Sequence, residues 1–455
     1  MEEMKGILGK QEILLAEKCL ATALKLGADK ARITLNKSLM ELFSTLDGEL
    51  DKVSHCLDRS MSVCLFVDGR FGSFSTNRLD EEGIEAFLRK SISTVRMLAE
   101  DPCRNLPAPE RTAKDAVSGT EMELFDPSYL GLSPEARLKM AMDASIFKAS
   151  KDTGLISEEG EYSDSVFDSY VIDSQGLRCR HTETSFEYGV EVTVKDSQGN
   201  RYSGYWWDAT SSLAKLKIST CGETALRRAL SQIGPRKLSS GKYTMVVDNE
   251  NSSRLVSPLL SALSGQALQQ KNSFLLDTLG KKVFPEWLDI LDKPHEKGRP
   301  GARLFDSEGV ATKEAPVIEN GVIRQYFINT YMSGKMGMEP TVEDATRPVL
   351  MPCVAPSFGK AGKLDREGIM ALVGEGILVT GFNGGNSNSA TGDFSFGIDG
   401  YLFKGGKVVH PVREMLITGN LITLWNNLLA AGDDPRPCKS KVIPTLAFKD
   451  VDFSA

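Results

Sequence analysis

Histidine is the scarcest of the residue types that could bind a metal in this sequence, which contains only four: His55, His181, His295 and His410. A catalytic zinc ion usually takes at least two nitrogen or sulfur ligands, often two histidines from one helix turn. No two of these histidines are close in sequence. The one His-Glu pair, His295-Glu296, lies between Pro294 and Gly298, which makes a helix improbable there. We therefore predict no zinc-binding helix at this pair, and a surface or core role for His410 at the end of a strand.

A run rich in glycine and asparagine, residues 381–393, is a second candidate. A phosphate-binding loop should open into a helix N-terminus, usually with a lysine. Here the run continues into Phe394-Ser395-Phe396, which reads as a strand. The pattern favours a structural loop or a turn that contacts a peptide, with Asn383, Asn386 and Asp393 as candidate contacts.

Two carboxylates, Asp306 and Glu308, are spaced to share one face of an extended segment that ends in Gly309. Paired acids can bind a metal ion or share a proton. Acids beside a glycine in a hydrophilic turn are more often solvated, so we favour a turn. No Gly-x-Ser-x-Gly nucleophile elbow occurs, and residues alone reveal no convincing catalytic constellation.

The first half of the chain must position these groups on helices and antiparallel strands. Apolar spacing predicts a helix over residues 10–26, and Asp68-Gly69 predicts a hairpin turn. A second helix is expected over residues 80–100. After a proline-rich connection, Ser133-Pro134 should start a helix that runs to about Ala149. Two similar turns, residues 173–176 and 196–199, predict hairpin loops in one antiparallel sheet.

The second half opens with a predicted strand at Tyr243–Val247 and a helix with Ser257 as N-cap and Pro258 in its first turn. Strands and glycine turns then dominate, and a late helix is expected over residues 421–430. The fold class is therefore α+β. Helices pack on an antiparallel sheet in residues 1–232, whose parts 1–110 and 128–232 flank the proline-rich connection. Residues 233–455 form a twisted antiparallel sheet or partly closed barrel with few helices.

Composition narrows the function classes. The chain has 455 residues and a formal charge of −7, with no basic run that would indicate direct binding of nucleic acid. The eight cysteines form no CxxC pair, so they are expected to be small buried residues in a reducing compartment. No secretory signal and no uncharged run of membrane-spanning length is visible. We expect a soluble, cytoplasmic protein.

Five phrases of the sequence resemble the PmbA/TldD family, the so-called modulators of DNA gyrase, and most closely its PmbA (TldE) branch. The phrase at residues 391–401 is the most specific of them. The similarity covers nearly the whole chain. The phrases are Asp306-Ser307-Glu308-Gly309-Val310, Val317-Ile318-Glu319-Asn320-Gly321-Val322, Thr391-Gly392-Asp393-Phe394-Ser395-Phe396-Gly397-Ile398-Asp399-Gly400-Tyr401, Pro411-Val412-Arg413-Glu414-Met415 and Ile417-Thr418-Gly419-Asn420-Leu421.

The resemblance implies a role in an intracellular metallopeptidase system. In that family a TldD-type subunit binds zinc through a His-Glu-x-x-x-His helix and a cysteine near its C-terminus. It pairs with a PmbA/TldE-type subunit, and together they trim unfolded peptides such as microcin precursors or antitoxins. In this chain Leu260 and Gly265 align with the histidines and Ser261 with the glutamate. Cys438 lies where the metal cysteine would be sought.

The resemblance therefore implies a non-catalytic partner with no catalytic residue, no metal ligand and no cofactor in this chain. Zinc is expected only in a TldD-type subunit. That subunit, or a second copy of this chain, is the expected partner, and unfolded peptides are the expected substrates. Two alternatives stay open: a self-sufficient peptidase that uses Asp306, Glu308 or Cys438, and a regulatory protein that binds DNA gyrase. The candidate contacts with peptide or partner are Asp306, Glu308, Asn383, Asn386, Asp393 and Arg413.

Overall fold

The computed structural model describes residues 6–150, 154–359 and 362–455. The chain divides into two compact units. The first unit holds the residues up to Leu230 together with His295–Thr312, and the second holds Ser231–Pro294 and Lys313–Ala455. The division into domains 1–232 and 233–455 stays a prediction; what the structure adds is that His295–Thr312 belongs with the first unit.

Helices in the described residues are short and connect longer strands. In chain order they are α1 Lys10–Lys25, α2 Glu81–Val95, α3 Pro134–Asp143, α4 Cys221–Ser231, α5 Ser253–Ala262, α6 Gly265–Gln269, α7 Thr330–Met336, α8 Arg366–Val373 and α9 Leu421–Asn426. No helix among them is long and apolar enough to cross a membrane.

Strands carry most of the architecture. In the first unit they are β1 Lys30–Leu46, β2 Glu49–Val67, β3 Arg70–Thr76, β4 Leu155–Asp173, β5 Arg178–Lys195 and β6 Arg201–Thr210. In the second they are β7 Gly241–Val247, β8 Ile290–Asp292, β9 Ala315–Glu319, β10 Val322–Ile323, β11 Pro348–Leu350, β12 Cys353–Val354, β13 Glu375–Ser387, β14 Asp393–Lys404, β15 Lys407–Asn420, β16 Leu428–Ala431 and β17 Leu446–Ser454.

The first unit is built on one antiparallel sheet in the order β3-β2-β1-β4-β5-β6. The predicted hairpin turn at Asp68-Gly69 is confirmed, because both residues have positive φ, as a two-residue hairpin turn requires. The other two predicted hairpin loops are also confirmed. In each, an aspartate (Asp173 or Asp196) accepts main-chain hydrogen bonds from the residues two and four positions later.

Two hydrophobic clusters cover this sheet. The helices α1 and α2 pack on β1, β2 and β3 through fully buried side chains such as Ala16, Leu65 and Leu88. Further along the sheet, α3 and α4 cover aromatic and aliphatic side chains of β4 and β5, among them Tyr162 and Tyr188. Burying each such large side chain contributes about 1.5–3 kcal/mol, so these faces hold the helices in place.

The second unit centres on a closed barrel of five strands, β7, β13, β14, β15 and β17. The ring closes because β7 pairs in parallel with β13 on one side and antiparallel with β17 on the other. A small sheet in the order β10-β9-β8-β11 lies in the same unit. The predicted α+β class with an antiparallel sheet or barrel in the second half is confirmed.

Several predicted boundaries are wrong. The third helix ends at Asp143 rather than near Ala149, because the buried Glu158 carboxylate accepts hydrogen bonds from the Ser145 hydroxyl and the Ile146 N–H. The last helix ends at Asn426 and gives way to β16. The second helix stops at Val95.

The helix of the second half begins earlier than predicted. Ser257 is not its N-cap: α5 starts at Ser253, and Pro258 lies inside it. The buried Leu255 and Val256 hold this first turn against the core, which outweighs the one hydrogen bond that proline removes. Pairing with β14 likewise makes Gly381–Ser387 part of a strand rather than a loop, and His410 lies inside β15 rather than at a strand end.

Candidate functional site

The segment that aligns with the zinc-binding helix is divided between two short helices. Leu260, half buried, and Ser261, exposed, are in the last turn of α5, which ends at Ala262. Gly265 is buried and opens α6, where the Ser264 side chain accepts a hydrogen bond from the Ala267 N–H. The turn between the helices means that the three aligned positions do not share the face of one continuous helix.

Gly265 is closely packed against the chain before and within α7. Its N–H donates a hydrogen bond to the Phe327 carbonyl at 2.7 Å. A Cβ at this position would lie 2.9 Å from the Cβ of Met332, closer than real Cβ atoms approach, and 3.0 Å from the Phe327 oxygen, tighter than most real Cβ contacts. Leucine and glycine side chains carry no lone pair for a cation. The residues at these three positions therefore do not fit a zinc ion.

The histidines have separate local partners. His55 contacts Glu41, His181 contacts Glu183, His295 contacts the Thr312 hydroxyl, and His410 contacts the Pro411 carbonyl. Among the residues that the structure describes, no group of three or more His, Cys, Asp or Glu side chains is arranged to hold a metal ion.

A charged cluster surrounds the start of α5. The Glu250 carboxylate and the Arg436 guanidinium form an ion pair whose two side chains are each 9% exposed. Arg436 also forms a hydrogen bond with the Cys438 side chain, and Lys439 donates to the Glu250 carbonyl. The Arg436 guanidinium therefore lies beside Cys438. Cys438 is the residue at which the resemblance would look for the metal-binding cysteine.

Burial and charge set the protonation of this cluster. Burial opposes the charged form of Arg436, but the charge of Glu250 and the interactions with Cys438 outweigh it, so the pKa of Arg436 is raised. Burial lowers the pKa of Lys439, the Glu250 charge opposes this, and the charge of Arg436 lowers it further. The cluster thus keeps a permanent cation next to Cys438.

A groove of about 560 Å³ runs between α5 and the far end of β13. The Arg254 guanidinium stands over the Phe396 ring, 5.1 Å from its centroid, and donates to the Gly385 carbonyl at 3.2 Å. Lys441 reaches α5 one turn before Leu260, where its Nζ donates to the Ser257 hydroxyl at 2.8 Å. The lining residues are Glu250, Asn251, Ser253, Arg254, Ser257, Pro258, Phe382, Gly384, Asn386, Ser387 and Phe396.

The candidate contacts from the sequence are only partly brought together. Asn386 lines the groove, whereas the Asn383 amide donates to Asp399 at 2.7 Å. Asp393 accepts from the Asn420 amide and the Thr391 hydroxyl, and both bonds lower the pKa of Asp393. Arg413 donates to the Gln232 side chain at 2.9 Å. Their role as contacts stays a prediction.

Asp306 and Glu308 belong to the first unit, whereas α5 belongs to the second. The Asp306 carboxylate accepts the N–H groups of Glu308 and Val310 at 2.9 and 3.0 Å. The Glu308 carbonyl accepts a hydrogen bond from Arg32. Asp306 thus stabilises the turn, as the glycine beside it suggested.

Sequence reasoning missed the basic residues of the groove region. Arg436, Lys439 and Lys441 fall within six positions around Cys438. This concentration of positive charge is the sequence feature that could have pointed to a charged site around Cys438. Glu250, their acidic partner, is 186 residues away from Arg436 in sequence, so no local pattern could have joined the two.

Comparison with known proteins decides the family. Residues 240–455 match the PmbA/TldA metallopeptidase C-terminal domain, and residues 127–233 match its central domain. The chain belongs to the PmbA/TldD family. Metalloprotease PmbA of Escherichia coli O157:H7 is 28% identical over 95% of this chain and 94% of its own length. A TldD homologue from Buchnera aphidicola is 23% identical over 67% of this chain and 66% of its own length.

Solved structures of the PmbA/TldD family share the fold. A Bacteroides thetaiotaomicron protein described as a candidate modulator of DNA gyrase is 40% identical, with a TM-score of 0.91 over 99% of this chain and all of its own. TldE from Thermococcus kodakarensis is 19% identical, with a TM-score of 0.83 over 97% of this chain and all of its own. This second likeness concerns the fold alone.

Proposed function

We propose that this chain is a PmbA/TldE-like subunit of a TldD-type metallopeptidase that trims or matures unfolded peptides. In this role it supplies shape and an interface, while a TldD-type subunit supplies the zinc ion and the hydrolytic groups. The proposed peptidase complex acts in the cytoplasm. A homodimer is the alternative assembly if the cell encodes no TldD-type chain.

The observation that carries the proposal is the crowding at Gly265. A histidine there would need its Cβ within about 3 Å of the Phe327 oxygen and the Met332 side chain. Main-chain atoms cannot move aside as the end of a flexible side chain does. Together with Leu260, this supports a scaffold whose metal-binding positions no longer hold a metal.

The charge distribution gives independent support. A zinc ion coordinated by Cys438 would have to lie beside the Arg436 guanidinium, which the Glu250 carboxylate holds in place. Two cations a few ångströms apart in a partly buried site repel strongly. We infer that Arg436 occupies the space that a metal ion would need.

The groove supports the peptide-binding part of the proposal. Beyond Val379, β13 has left its parallel neighbour β7, so on the side away from β14 the Phe382–Ser387 stretch faces α5 across the groove rather than another strand. An extended peptide can add to such a strand through main-chain hydrogen bonds, with alternate side chains in pockets. Asn386 and Arg254 are the polar groups placed to orient it.

The proposal is tested by assaying an unfolded peptide substrate with the purified chain alone, the TldD-type subunit of the same organism alone, and the mixture. We expect cleavage by the mixture, sensitivity to a chelator, and no cleavage by this chain alone. A TldD-type variant without its His-Glu-x-x-x-His histidines should inactivate the mixture. Chelator-sensitive cleavage by this chain alone would instead favour the self-sufficient peptidase.

A regulatory role on DNA gyrase is the second candidate, because the Bacteroides relative carries that description. It predicts that gyrase subunits co-purify with this chain in cells that lack any TldD-type protein. Co-purification that requires the TldD-type subunit, or none at all, would remove this candidate.

A further inference from the structure

Two basic side chains at the groove have no acidic partner within ion-pair distance among the residues that the structure describes. The exposed Arg254 guanidinium lies over the Phe396 ring and donates to the Gly385 carbonyl. The half-buried Lys441 ammonium donates to the Ser257 hydroxyl. Cations at the wall of a cleft attract and concentrate ligands of opposite charge. The groove is therefore suited to an anionic group.

The acidic side chains around these cations do not neutralise them. Glu250, the one acid among the described lining residues, forms its ion pair with Arg436. Burial raises the pKa of Asp344, the charge of Glu343 adds to the rise, and the charge of Lys441 opposes it. Asp344 and Lys441 are nevertheless too far apart for an ion pair. The groove thus keeps an excess of positive charge.

The helical spacing of α5 brings the two cations to the same wall. Arg254 and Ser257 both line the groove and are three positions apart. Residues at that spacing are neighbours on one helix face, with Cβ atoms about 5–6 Å apart. The Lys441 ammonium, 2.8 Å from the Ser257 hydroxyl, therefore lies close to the root of the Arg254 side chain. An anion in the groove is attracted by both charges.

The Arg254 guanidinium is well prepared to bind a carboxylate. It has five N–H donors, and the described residues take one hydrogen bond from it, at the Gly385 carbonyl. Its position over the Phe396 ring, 5.1 Å from the centroid, restricts the side chain before a ligand arrives. A planar fork of donors matches the two oxygens of a carboxylate.

The bond to Gly385 also sets where an added peptide ends. Gly385 lies at the irregularity where β13 shifts its register with β14, and its carbonyl accepts from α5. A strand that adds to β13 would donate main-chain N–H groups to carbonyls on this side. Because Arg254 already takes the place of such an N–H, the ladder of an added peptide stops at Gly385. The last residue of that peptide then lies beside the guanidinium.

We propose that the groove binds the free C-terminal carboxylate of an extended peptide, with Arg254 as the hydrogen-bond donor and Lys441 as a second charge. The inference deepens the proposed function and rests on it in taking the ligand to be a peptide. An acidic side chain offers the same chemistry, but it projects from the face of an added strand. Arg254 lies at the level of the main chain, which favours the terminal carboxylate.

The first test is direct binding of labelled peptides to the full chain, measured by fluorescence anisotropy. The probe is a short unstructured peptide of alanine, serine, threonine and glutamine, labelled with rhodamine at its N-terminus. It is made once with a free C-terminal carboxylate and once with an amide. We expect the free acid to bind at least about tenfold more tightly, because the amide loses a charge-assisted hydrogen bond. Equal affinity, or no binding of either peptide, would overturn the inference.

Variants assign the preference to the two cations. In Arg254→Gln the free acid should lose about tenfold in affinity, and in Lys441→Met somewhat less, while the affinity for the amide stays the same. Lys449→Met removes an exposed lysine of the same unit that does not line the groove, and it should keep the full preference. A preference that survives in both Arg254→Gln and Lys441→Met would contradict the assignment.

A third peptide separates the two sources of the carboxylate. It carries the C-terminal amide and one glutamate in place of a central glutamine. We expect it to bind as weakly as the plain amide. Binding as tight as that of the free acid would show that the groove takes an acidic side chain, and the inference would be wrong.

The outcomes also separate this inference from the proposed function. Peptides that bind without preference for the free acid, but are cleaved by the mixture with the TldD-type subunit, contradict the carboxylate site alone. A clear preference for the free acid without cleavage by the mixture supports the carboxylate site and contradicts the peptidase role.

Discussion

The N–H of Gly265 lies 2.7 Å from the carbonyl oxygen of Phe327 and donates a hydrogen bond to it. This bond fixes the start of α6 against the segment that leads into α7. The same contact closes the space above the Gly265 Cα, because the oxygen and the Met332 side chain lie where a side chain would begin. Gly265 therefore serves the packing of α6 against the segment that leads into α7, and the site leaves little room for a side chain.

We predict that Gly265→Ala destabilises the second unit. The added Cβ must push against the Phe327 backbone, and overpacking of this kind costs about 1–3 kcal/mol. Urea denaturation of the full chain measures the change. Gly362→Ala is the matched control in the same unit, because nothing lies within 4 Å of the Cβ it would add. Equal stability of the two variants would show that the Gly265 site is roomier than described.

A buried ion pair is predicted to hold α3 on the sheet. Arg137 binds the Asp164 carboxylate through Nε at 2.7 Å, and the two side chains are 6% and 0% exposed. Burial disfavours the charged guanidinium, but hydrogen bonds and the charge of Asp164 outweigh it and raise the pKa of Arg137. Arg137→Met should cost about 3–5 kcal/mol, because the buried Asp164 carboxylate is left without a countercharge.

Asp164→Asn added to Arg137→Met provides the control for that pair. The asparagine oxygen can still accept the Tyr162 hydroxyl, which donates to Asp164 at 2.9 Å, and no charge is stranded. Denaturation curves should show the double variant more stable than Arg137→Met alone. A double variant that is less stable would mean that the damage does not come from an uncompensated charge.

Asp126 is predicted to make the first unit sensitive to acid. Burial raises the pKa of this carboxyl, but hydrogen bonds from Ser128, Leu213 and Ser212 outweigh it and lower the pKa overall. A carboxyl with a lowered folded-state pKa contributes stability above the ordinary value of about 3.9 and loses it as the pH falls through its folded pKa.

The measurement is the stability of wild type and Asp126→Asn from pH 7 to pH 2.5. We expect the variant to be less stable at neutral pH and the difference to shrink as the pH falls below about 4. Asp115→Asn is a comparison at an exposed aspartate. A difference between wild type and Asp126→Asn that grows toward acid would contradict the assignment of these hydrogen bonds to the carboxylate.

The groove residue Arg254 is predicted to matter for peptide use in the reconstituted complex. Arg254→Ala removes the cation over Phe396 and the bond to Gly385, so KM for an unfolded peptide should rise about tenfold with little change in kcat. Arg324→Ala, an exposed arginine paired with Glu319, is the control. Unchanged KM in Arg254→Ala would remove the groove from the peptide path.

The parts of the fold that sequence could predict are those with a local cause. The positive φ of Asp68 and Gly69 and the Ser133 side chain, which caps α3 by accepting the Ala136 N–H, act within four residues. The α5 start was missed because Leu255 and Val256 are held by distant core contacts. The glycine run became a strand because β14 was available to pair with it.

In the candidate site, too, only features with a local cause could be predicted from the sequence. The absence of histidine at Leu260 and Gly265 could be seen in the sequence, whereas the lack of space at Gly265 comes from Phe327 and Met332, more than sixty residues later. The pairing of Glu250 with Arg436 likewise joins the two ends of the second unit. Asp306 was predicted to form a solvated turn, and its hydrogen bonds do form a turn.

Zinc content of the separated subunits tests the central claim most directly. An active complex of this chain with a TldD-type subunit would be purified, its subunits separated without chelator, and zinc measured in each by atomic emission. The account predicts about one zinc ion per TldD-type chain and none above background in this chain. Stoichiometric zinc retained by this chain, and lost on Cys438→Ser, would contradict it.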